Sequence, residues 1–330
     1  MTVPRPSYDP SLEAKLTQGL FDYRMQSNEL NGLRAALNQS NTATVAFSGK
    51  PITHEDVQVP VAGGEIKLLI ARSATRKAVK TPGPGIYFIH GGGFVMGNRF
   101  LGMSVVTEWV EKFDATCFSV EYRLAPEHPY PTPLEDCYAG LKWVGSRMSE
   151  LGIDESRLMI AGQSAGGGLA AALAMRTRDQ GGPRLCGQLL MCPMLDSQNM
   201  SVSSNQFMSE GTWSGLNNQM AWASYLGDPT KGKEQAPILA SPGLAAAADL
   251  LDLPDAFIDV GSAEVFRDED MEYASRLFEA GVQVEFHIWP GGFHGFDLLL
   301  PDSELSQKAI QTRTAWVKKM LFDEDRRGQP

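Results

Sequence analysis

The feature that most constrains the fold is a serine flanked by glycines, GQSAG at residues 162–166. An apolar run at 157–161 predicts a strand directly before it, and an Ala/Gly-rich run at 164–178 predicts a helix directly after it. Glycines two residues before and two after the serine relieve crowding in a tight strand-to-helix turn that carries the serine oxygen above the sheet edge. This context, more than the five-residue pattern alone, predicts a nucleophile elbow at Ser164.

Strand-like and helix-like runs alternate along most of the chain. That alternation predicts an α/β fold with a mostly parallel central sheet flanked by helices. The predicted strands are 65–71, 85–89, 115–121, 157–161, 187–192, 256–260 and 282–289, and the predicted helices are 11–37, 134–151, 164–178, a helix ending at 280–281, and 305–322.

Two segments interrupt this rhythm. Residues 11–37 have roughly helical apolar spacing that is broken by Gly19 and Gly32, so residues 1–45 are predicted to form an arm rather than part of the core. Residues 196–226 are polar and rich in Ser, Asn and Met, and they are predicted to form an inserted lid of short helices. The remaining chain from residue 46 to 330 is predicted to form one domain that carries this insertion.

A glycine run, HGGG at residues 90–93, directly follows the predicted strand 85–89. A phosphate-binding loop is the competing interpretation, but no Lys-Ser or Lys-Thr follows the glycines. Upstream of an elbow, the run predicts an oxyanion loop, because glycines let backbone N–H groups approach a developing negative charge. The predicted donors are the N–H groups of Gly92, Gly93 and Ala165.

A serine nucleophile needs a base, and His294 is the candidate among five histidines. It lies in GGFHGF at 291–296, just past the last predicted strand, where an open α/β sheet binds ligands. The chain order nucleophile, acid, base also requires a late histidine. His287 lies inside that strand and is interpreted as a packing residue.

The acid that orients this base should follow the strand 256–260. Glu264 is the first carboxylate after the turn, and Asp268, about one helical turn further on, is the alternative. Asp259 lies within the strand and is expected to point elsewhere. A purely structural interpretation of Glu264 is a charge that complements a helix N-terminus.

Apolar side chains of the glycine-rich loop and of the insertion are candidates for a substrate site. Packing between a cap and the core is an equally good interpretation of each. The candidates are Phe94, Phe207, Trp213 and Leu216, with Met208 and Trp222 beside them.

The chain resembles the hormone-sensitive-lipase-like esterases, a bacterial and fungal branch of the α/β-hydrolases. The resemblance spans about residues 85–298 and rests on five motifs: HGGGF at 90–94, YRLAPEHP at 122–129, PLED at 133–136, GQSAG at 162–166 and FHGF at 293–296. It implies an α/β-hydrolase fold, a cap built from 1–45 and 196–226, and hydrolysis of short-to-medium acyl esters through an acyl-enzyme. The family usually has Asp where this chain has Glu264, whose side chain is one methylene longer.

Net charge, cysteine spacing and hydropathy limit the kinds of partner and cofactor that we expect. The net charge of −10 argues against nucleic acid and anionic membrane as partners. The four cysteines form no CxxC pair, and neither a metal nor a cofactor is expected. Residues 1–10 have no apolar core and no stretch is long enough for a membrane span, so a cytoplasmic protein is expected. An edge strand at 282–289 offers a surface for a homodimer.

Two other functions stay open. A receptor on the same scaffold would bind a small molecule without turnover, although such proteins lose a triad member that this chain retains. An enzyme with the same triad would instead cleave an amide, a lactone or a carbamate.

Overall fold

One central sheet organises the molecule, whose computed structural model describes residues 4–16, 25, 29–76, 81–227 and 236–323. The sheet has eight strands in the order β1-β2-β4-β3-β5-β6-β7-β8. The strands are β1 (Ile52–Val61), β2 (Gly64–Ser73), β3 (Gly83–Ile89), β4 (Thr116–Glu121), β5 (Ile153–Gln163), β6 (Gly187–Met191), β7 (Ala256–Gly261) and β8 (Val284–Trp289).

The strands β4, β3, β5, β6, β7 and β8 are parallel neighbours, whereas β2 pairs antiparallel with both β1 and β4. Consecutive parallel strands need crossover connections, and these are the helices. The carboxyl ends of the parallel strands therefore meet along one edge of the sheet. This confirms the predicted α/β fold with its mostly parallel sheet flanked by helices.

The α-helices in the described part of the chain range from one turn to five. They are α1 (Pro10–Lys15), α2 (Leu30–Ser40), α3 (Ala43–Phe47), α4 (Met103–Phe113), α5 (Thr132–Gly145), α6 (Met148–Leu151), α7 (Ala165–Gln180), α8 (Val202–Gln206), α9 (Gly215–Leu226), α10 (Arg267–Glu279), α11 (Phe296–Leu299) and α12 (Glu304–Phe322).

The core lies on both faces of the sheet, because β3, β5, β6 and β7 are buried on both sides. Alternate residues of these strands join two separate clusters. Ile160 of β5 packs with Leu169 of α7 in one cluster. Phe88 of β3 lies in the other with Trp109 of α4 and Trp316 of α12. Strands covered on both faces read as continuous apolar runs, which is why they were predictable.

Several elements differ from the sequence prediction, among them the short helices α3 and α11, which were not predicted. The strand β1 was not predicted, because it is a largely exposed edge strand whose first half is polar and whose second half contains a proline. Helix α4 was not predicted either, because it is rich in β-branched residues and starts after Gly102, which offers no side-chain cap. The predicted helix 134–151 is divided into α5 and α6, since the N–H of Arg147 bonds to the oxygen of Val144 in a tighter turn.

The predicted helix 11–37 is represented by α1 and by the start of α2, and residues 17–24 and 26–28 lie outside the described residues. The predicted lid at 196–226 contains two short helices, α8 and α9. In the described ranges, no helix is both long and apolar enough to cross a membrane. The four cysteines form no disulfide, and Cys186 is half-buried while the other three are buried.

One buried acid adds a cost to the fold. Asp270 lies in the first turn of α10 with no exposed surface. Neither of its carboxylate oxygens has a hydrogen-bond partner among the described residues. Burial, together with the neighbouring Glu269, Glu264 and Asp259, raises the pKa of Asp270 well above its ordinary value. The folded protein therefore favours the neutral acid.

We predict that Asp270→Asn stabilises the protein increasingly as pH rises. Above about pH 4 the Asp270 carboxyl holds fewer protons in the unfolded chain than in the folded one, so the contribution of this group to stability falls with pH, by up to about 1.4 kcal/mol per pH unit. This loss continues until pH passes the raised folded pKa. Urea unfolding at pH 5, 7 and 9 measures the difference, with the exposed Asp302→Asn as the matched control. A stability difference for Asp270→Asn that does not grow with pH would contradict this account.

Candidate active site

Ser164 occupies the sharp turn between β5 and α7. Its backbone has φ 55° and ψ −123°, a strained conformation for a residue with a side chain. Two backbone hydrogen bonds hold the turn. The N–H of Ser164 donates to the carbonyl oxygen of Met191 at 2.8 Å, and the carbonyl oxygen of Ser164 accepts the N–H of Met194 at 2.9 Å. The predicted strand–turn–helix context of the serine is present.

The start of α7 lies directly against the end of β3. A Cβ atom placed on Gly166 would lie 2.2 Å from the oxygen of Ile89 and 2.4 Å from that of His90. Only glycine permits this contact. The glycine loop after β3 is thereby brought next to the free N–H groups at the N-terminus of α7, where anions bind favourably.

Ser164, His294 and Glu264 form a continuous hydrogen-bonded line. The Nε2 atom of His294 lies 3.0 Å from the Oγ of Ser164. The Nδ1 atom of the same ring lies 2.6 Å from the Oε2 of Glu264. Three loops from the carboxyl edge of the sheet thus converge, although Ser164 and His294 are 130 residues apart in sequence.

The carboxylate of Glu264 is buried, with 1% of its side chain exposed. Burial raises the pKa of Glu264, and the neighbouring His294 opposes that rise. Asp268, the alternative acid, instead accepts the backbone N–H of Ser203 at 2.7 Å. The geometry therefore places Glu264, and not Asp268, against the imidazole.

The glycine loop is shaped by close contacts with the insertion. Gly93 has φ 61°, and a Cβ atom there would lie 2.2 Å from the Cη2 of Trp213. The ring of Trp213 is also 6.3 Å from that of His294, centroid to centroid. Trp213 thus lies beside both the loop and the imidazole. Thr212 strengthens this connection by donating its hydroxyl to the backbone oxygen of His294.

His90 holds the start of the glycine loop in place through a ring contact and two hydrogen bonds. Its ring stacks on Tyr122 at 4.3 Å, and its Nδ1 donates to the oxygen of Gly91 at 2.7 Å. The hydroxyl of Tyr122 in turn donates to the oxygen of His90. Burial lowers the pKa of His90 to about 4, so the ring is neutral at pH 7. His90 is therefore a structural side chain of this loop.

Arg34 of α2 binds the far end of the same loop. Its Nε donates to the oxygen of Val95 and its Nη2 to that of Ala125, both at 2.7 Å. The guanidinium also forms a two-pronged ion pair with Glu127 at 2.8 Å, which lowers the pKa of Glu127 to about 2. Because the N–H of Ala125 bonds to the oxygen of Phe94, Arg34 joins the N-terminal arm to the loop that carries the predicted donors.

The four predicted substrate-site side chains have different surroundings. Trp213 lies at the triad, as described above. Phe94 is buried, and its ring stacks on that of Tyr225 with the centroids 3.9 Å apart. Phe207 is also buried, and its ring centroid lies 6.0 Å from that of Tyr8. Leu216 is half-buried at the start of α9. The contacts of Phe94 and Phe207 are packing contacts, so a role in substrate binding stays a prediction for these residues.

Sequence reasoning missed a buried ionic network beside the histidine loop. Arg313 of α12 donates its Nε to the Oδ2 of Asp259 at 2.7 Å and its Nη1 to Asp297, which is three residues beyond His294. Trp289 donates its indole N–H to the same Asp259 oxygen. The network ties α12 and β7 to α11. A basic residue inside an otherwise apolar helix face was its only sequence signal.

A family model described as the alpha/beta hydrolase fold matches residues 86–298. The chain belongs to the α/β-hydrolase family. Esterase LipI of Mycobacterium tuberculosis is 37% identical over 215 residues, and carboxylesterase NlhH of the same species is 38% identical over 216. Each match covers 64% of this chain, with 65% of LipI and 66% of NlhH. The chain thus spans just under two thirds of these relatives.

Solved structures of the α/β-hydrolase family superimpose over nearly the whole chain. A bacterial heroin esterase has a TM-score of 0.88 at 32% identity, covering 96% of this chain and 98% of that one. The hyperthermophilic esterase of Pyrobaculum calidifontis has a TM-score of 0.85 at 29% identity, covering 95% and 99%. These matches confirm the predicted relation to the hormone-sensitive-lipase-like esterases.

We predict that Arg34→Ala slows modification of Ser164 by a fluorophosphonate about 10- to 100-fold, because the loop loses its anchor. Complete loss of one oxyanion donor costs about 10²- to 10³-fold, and a donor that is only displaced costs less. Arg34→Lys should not restore the rate, since an ammonium cannot hold two carbonyls and a carboxylate at once. Glu127→Gln is the matched control, because it removes the ion pair and keeps both backbone contacts. Equal rates for wild type and Arg34→Ala would show that the arm does not position the loop.

Proposed function

We propose that this protein is a serine carboxylesterase that hydrolyses a carboxylic ester through a covalent acyl-enzyme on Ser164. The line of hydrogen bonds from Ser164 through His294 to Glu264 carries the proposal, because it has the nucleophile–base–orienting acid geometry of acyl transfer. The esterase names of the relatives and of the structural neighbours support it.

In the first step, the Nε2 of His294 takes the proton of Ser164 as its oxygen attacks the ester carbonyl. The N–H groups of Gly92, Gly93 and Ala165 stabilise the oxyanion. His294 then protonates the leaving alcohol. Water attacks the acyl-enzyme with the same imidazole as base, which releases the acid and restores Ser164. Glu264 holds Nδ1 protonated, so that Nε2 keeps the lone pair that accepts the proton.

Ser164→Ala should abolish hydrolysis of p-nitrophenyl butyrate and fluorophosphonate labelling while the protein stays folded. The oxygen that forms the acyl bond is lost, and the side chain that replaces it fits the same space. Turnover, labelling and far-ultraviolet circular dichroism are the measurements, with the exposed Ser146→Ala as control. Unchanged turnover by Ser164→Ala would exclude the proposed mechanism.

The same assays separate the other functions. A receptor without a working triad would not react with the fluorophosphonate. An amidase, lactonase or carbamate hydrolase would react, but would prefer that bond in a panel of matched esters, amides, lactones and carbamates. Within the esters, a chain-length series tests the proposed preference for short-to-medium acyl groups.

Glu264→Gln should lower kcat about 10³- to 10⁴-fold with little change in KM, because an amide can favour the wrong imidazole tautomer. Glu264→Asp should also lose activity, by about tenfold or more, since a side chain one methylene shorter no longer reaches Nδ1 from this loop. Asp268→Asn is the matched control, because Asp268 does not contact the imidazole. Greater loss with Asp268→Asn than with Glu264→Gln would assign the acid to Asp268.

The arm 1–45 and the insertion 196–226 form the proposed cap over the site. Contacts between them support this, since Arg5 pairs with Glu210 and the N–H of Met25 bonds to the side chain of Asn217. We further propose a small ester as substrate, a cytoplasmic location and a homodimer paired through β8, which lies at the sheet edge. The solution mass from light scattering tests the dimer.

A further inference from the structure

Cys192 lies next to Glu264 and His294 of the triad. Cys192 follows β6 with φ 38°, and its N–H bonds to the oxygen of Asp259 at 2.7 Å. Its thiol sulfur, a carboxylate oxygen of Glu264 and a ring nitrogen of His294 all lie within 4.8 Å of one another. The hydrolytic mechanism gives this thiol no task.

A second observation concerns the other oxygen of Glu264. Its Oε1 has no hydrogen-bond partner within 3.5 Å among the described residues, although Glu264 is only 2% exposed, and the backbone of Gly261 stabilises the carboxylate in addition to His294. A buried carboxylate oxygen without a partner is costly unless a proton or a cation compensates it.

Burial raises the pKa of the Cys192 thiol well above its ordinary value, and Glu264, Asp297 and Asp259 add to that rise while Arg313 opposes it. Asp259 and Asp297 are already paired with Arg313, so Glu264 is the carboxylate that a cation beside this sulfur would meet. A divalent cation bound to the sulfur would itself favour the thiolate.

We infer that Cys192, Glu264 and His294 form a latent inhibitory site for a thiophilic divalent cation such as Zn²⁺. Thiolate, carboxylate and imidazole are the three ligand types that Zn²⁺ binds, at about 2.0–2.3 Å, with a fourth position left for water. In a tetrahedral site with these bond lengths the ligand atoms lie about 3.3–3.8 Å apart, so the present separations, all within 4.8 Å, would have to close by about 1.5 Å at most. The metal is an inhibitor in this account and takes no part in hydrolysis.

Binding of the cation displaces protons from its ligands and involves no change of oxidation state. The sulfur of Cys192 gives its proton to water and forms the metal–sulfur bond, while an oxygen of Glu264 and the Nδ1 of His294 donate lone pairs. The proton that Nδ1 carried moves to Nε2. A ring protonated at Nε2 cannot accept the proton of Ser164, so the metal removes the base while the nucleophile stays in place.

The metal-binding test does not depend on the proposed esterase function, whereas the inhibition test rests on that function. Binding is tested with Co²⁺, whose bond to a thiolate gives a near-ultraviolet charge-transfer band that Zn²⁺ removes by displacement. We expect the band in wild type and in Cys186→Ala. Cys192→Ala and Cys192→Ser should weaken Co²⁺ binding about tenfold or more, because the thiolate ligand is missing.

Inhibition is measured with p-nitrophenyl butyrate, each variant being compared with its own rate without metal. Zn²⁺ should inhibit wild type and Cys186→Ala, a chelator should restore the rate, and both Cys192 variants should resist. Equal Co²⁺ bands in wild type and both Cys192 variants, or no band in wild type, would overturn the site. If wild type hydrolyses no ester, the proposed function fails while the cobalt band still decides the metal site.

Discussion

The close approach of three backbone segments at one point of the sheet edge is the constraint on which the rest depends. The end of β3, the elbow at Ser164 and the first turn of α7 lie so near each other that Gly166 has no room for a side chain. This contact brings the N–H groups of the glycine loop, those of the helix N-terminus and the serine oxygen into one small volume. The parallel sheet then delivers the acid and the imidazole to the same edge.

The loops that carry the triad are held from outside the sheet. Arg34 joins the N-terminal arm to the glycine loop through two backbone oxygens, and Arg313 joins α12 to the segment after His294. The N–H of Asp9 bonds to the oxygen of Gly291, so the arm also reaches the histidine loop. Regions far from the reacting atoms thus set the position of both halves of the site, which is the precision that acyl transfer needs.

Local patterns were enough to predict most strands and to single out Ser164 and His294, which the structure brings within hydrogen-bonding distance of each other. Ser164 lies in a strand–turn–helix pattern, and His294 and Glu264 follow strand ends, where chain order already limits the choice. The sequence could not distinguish Glu264, in the loop after β7, from Asp268, in the first turn of α10, because the distinction depends on which side chain turns towards the imidazole. The neighbours of Cys192 and the ion-pair partners of Arg313 result from contacts between distant elements, so no local pattern could predict them.

The convergence at the sheet edge is tested most directly by a crystal structure of the protein reacted with a fluorophosphonate. We expect phosphorus bonded to the Oγ of Ser164, with the phosphonyl oxygen about 2.7–3.1 Å from the N–H groups of Gly92, Gly93 and Ala165. His294 should remain between Ser164 and Glu264. An adduct on another residue, or a phosphonyl oxygen directed away from the glycine loop, would contradict the account.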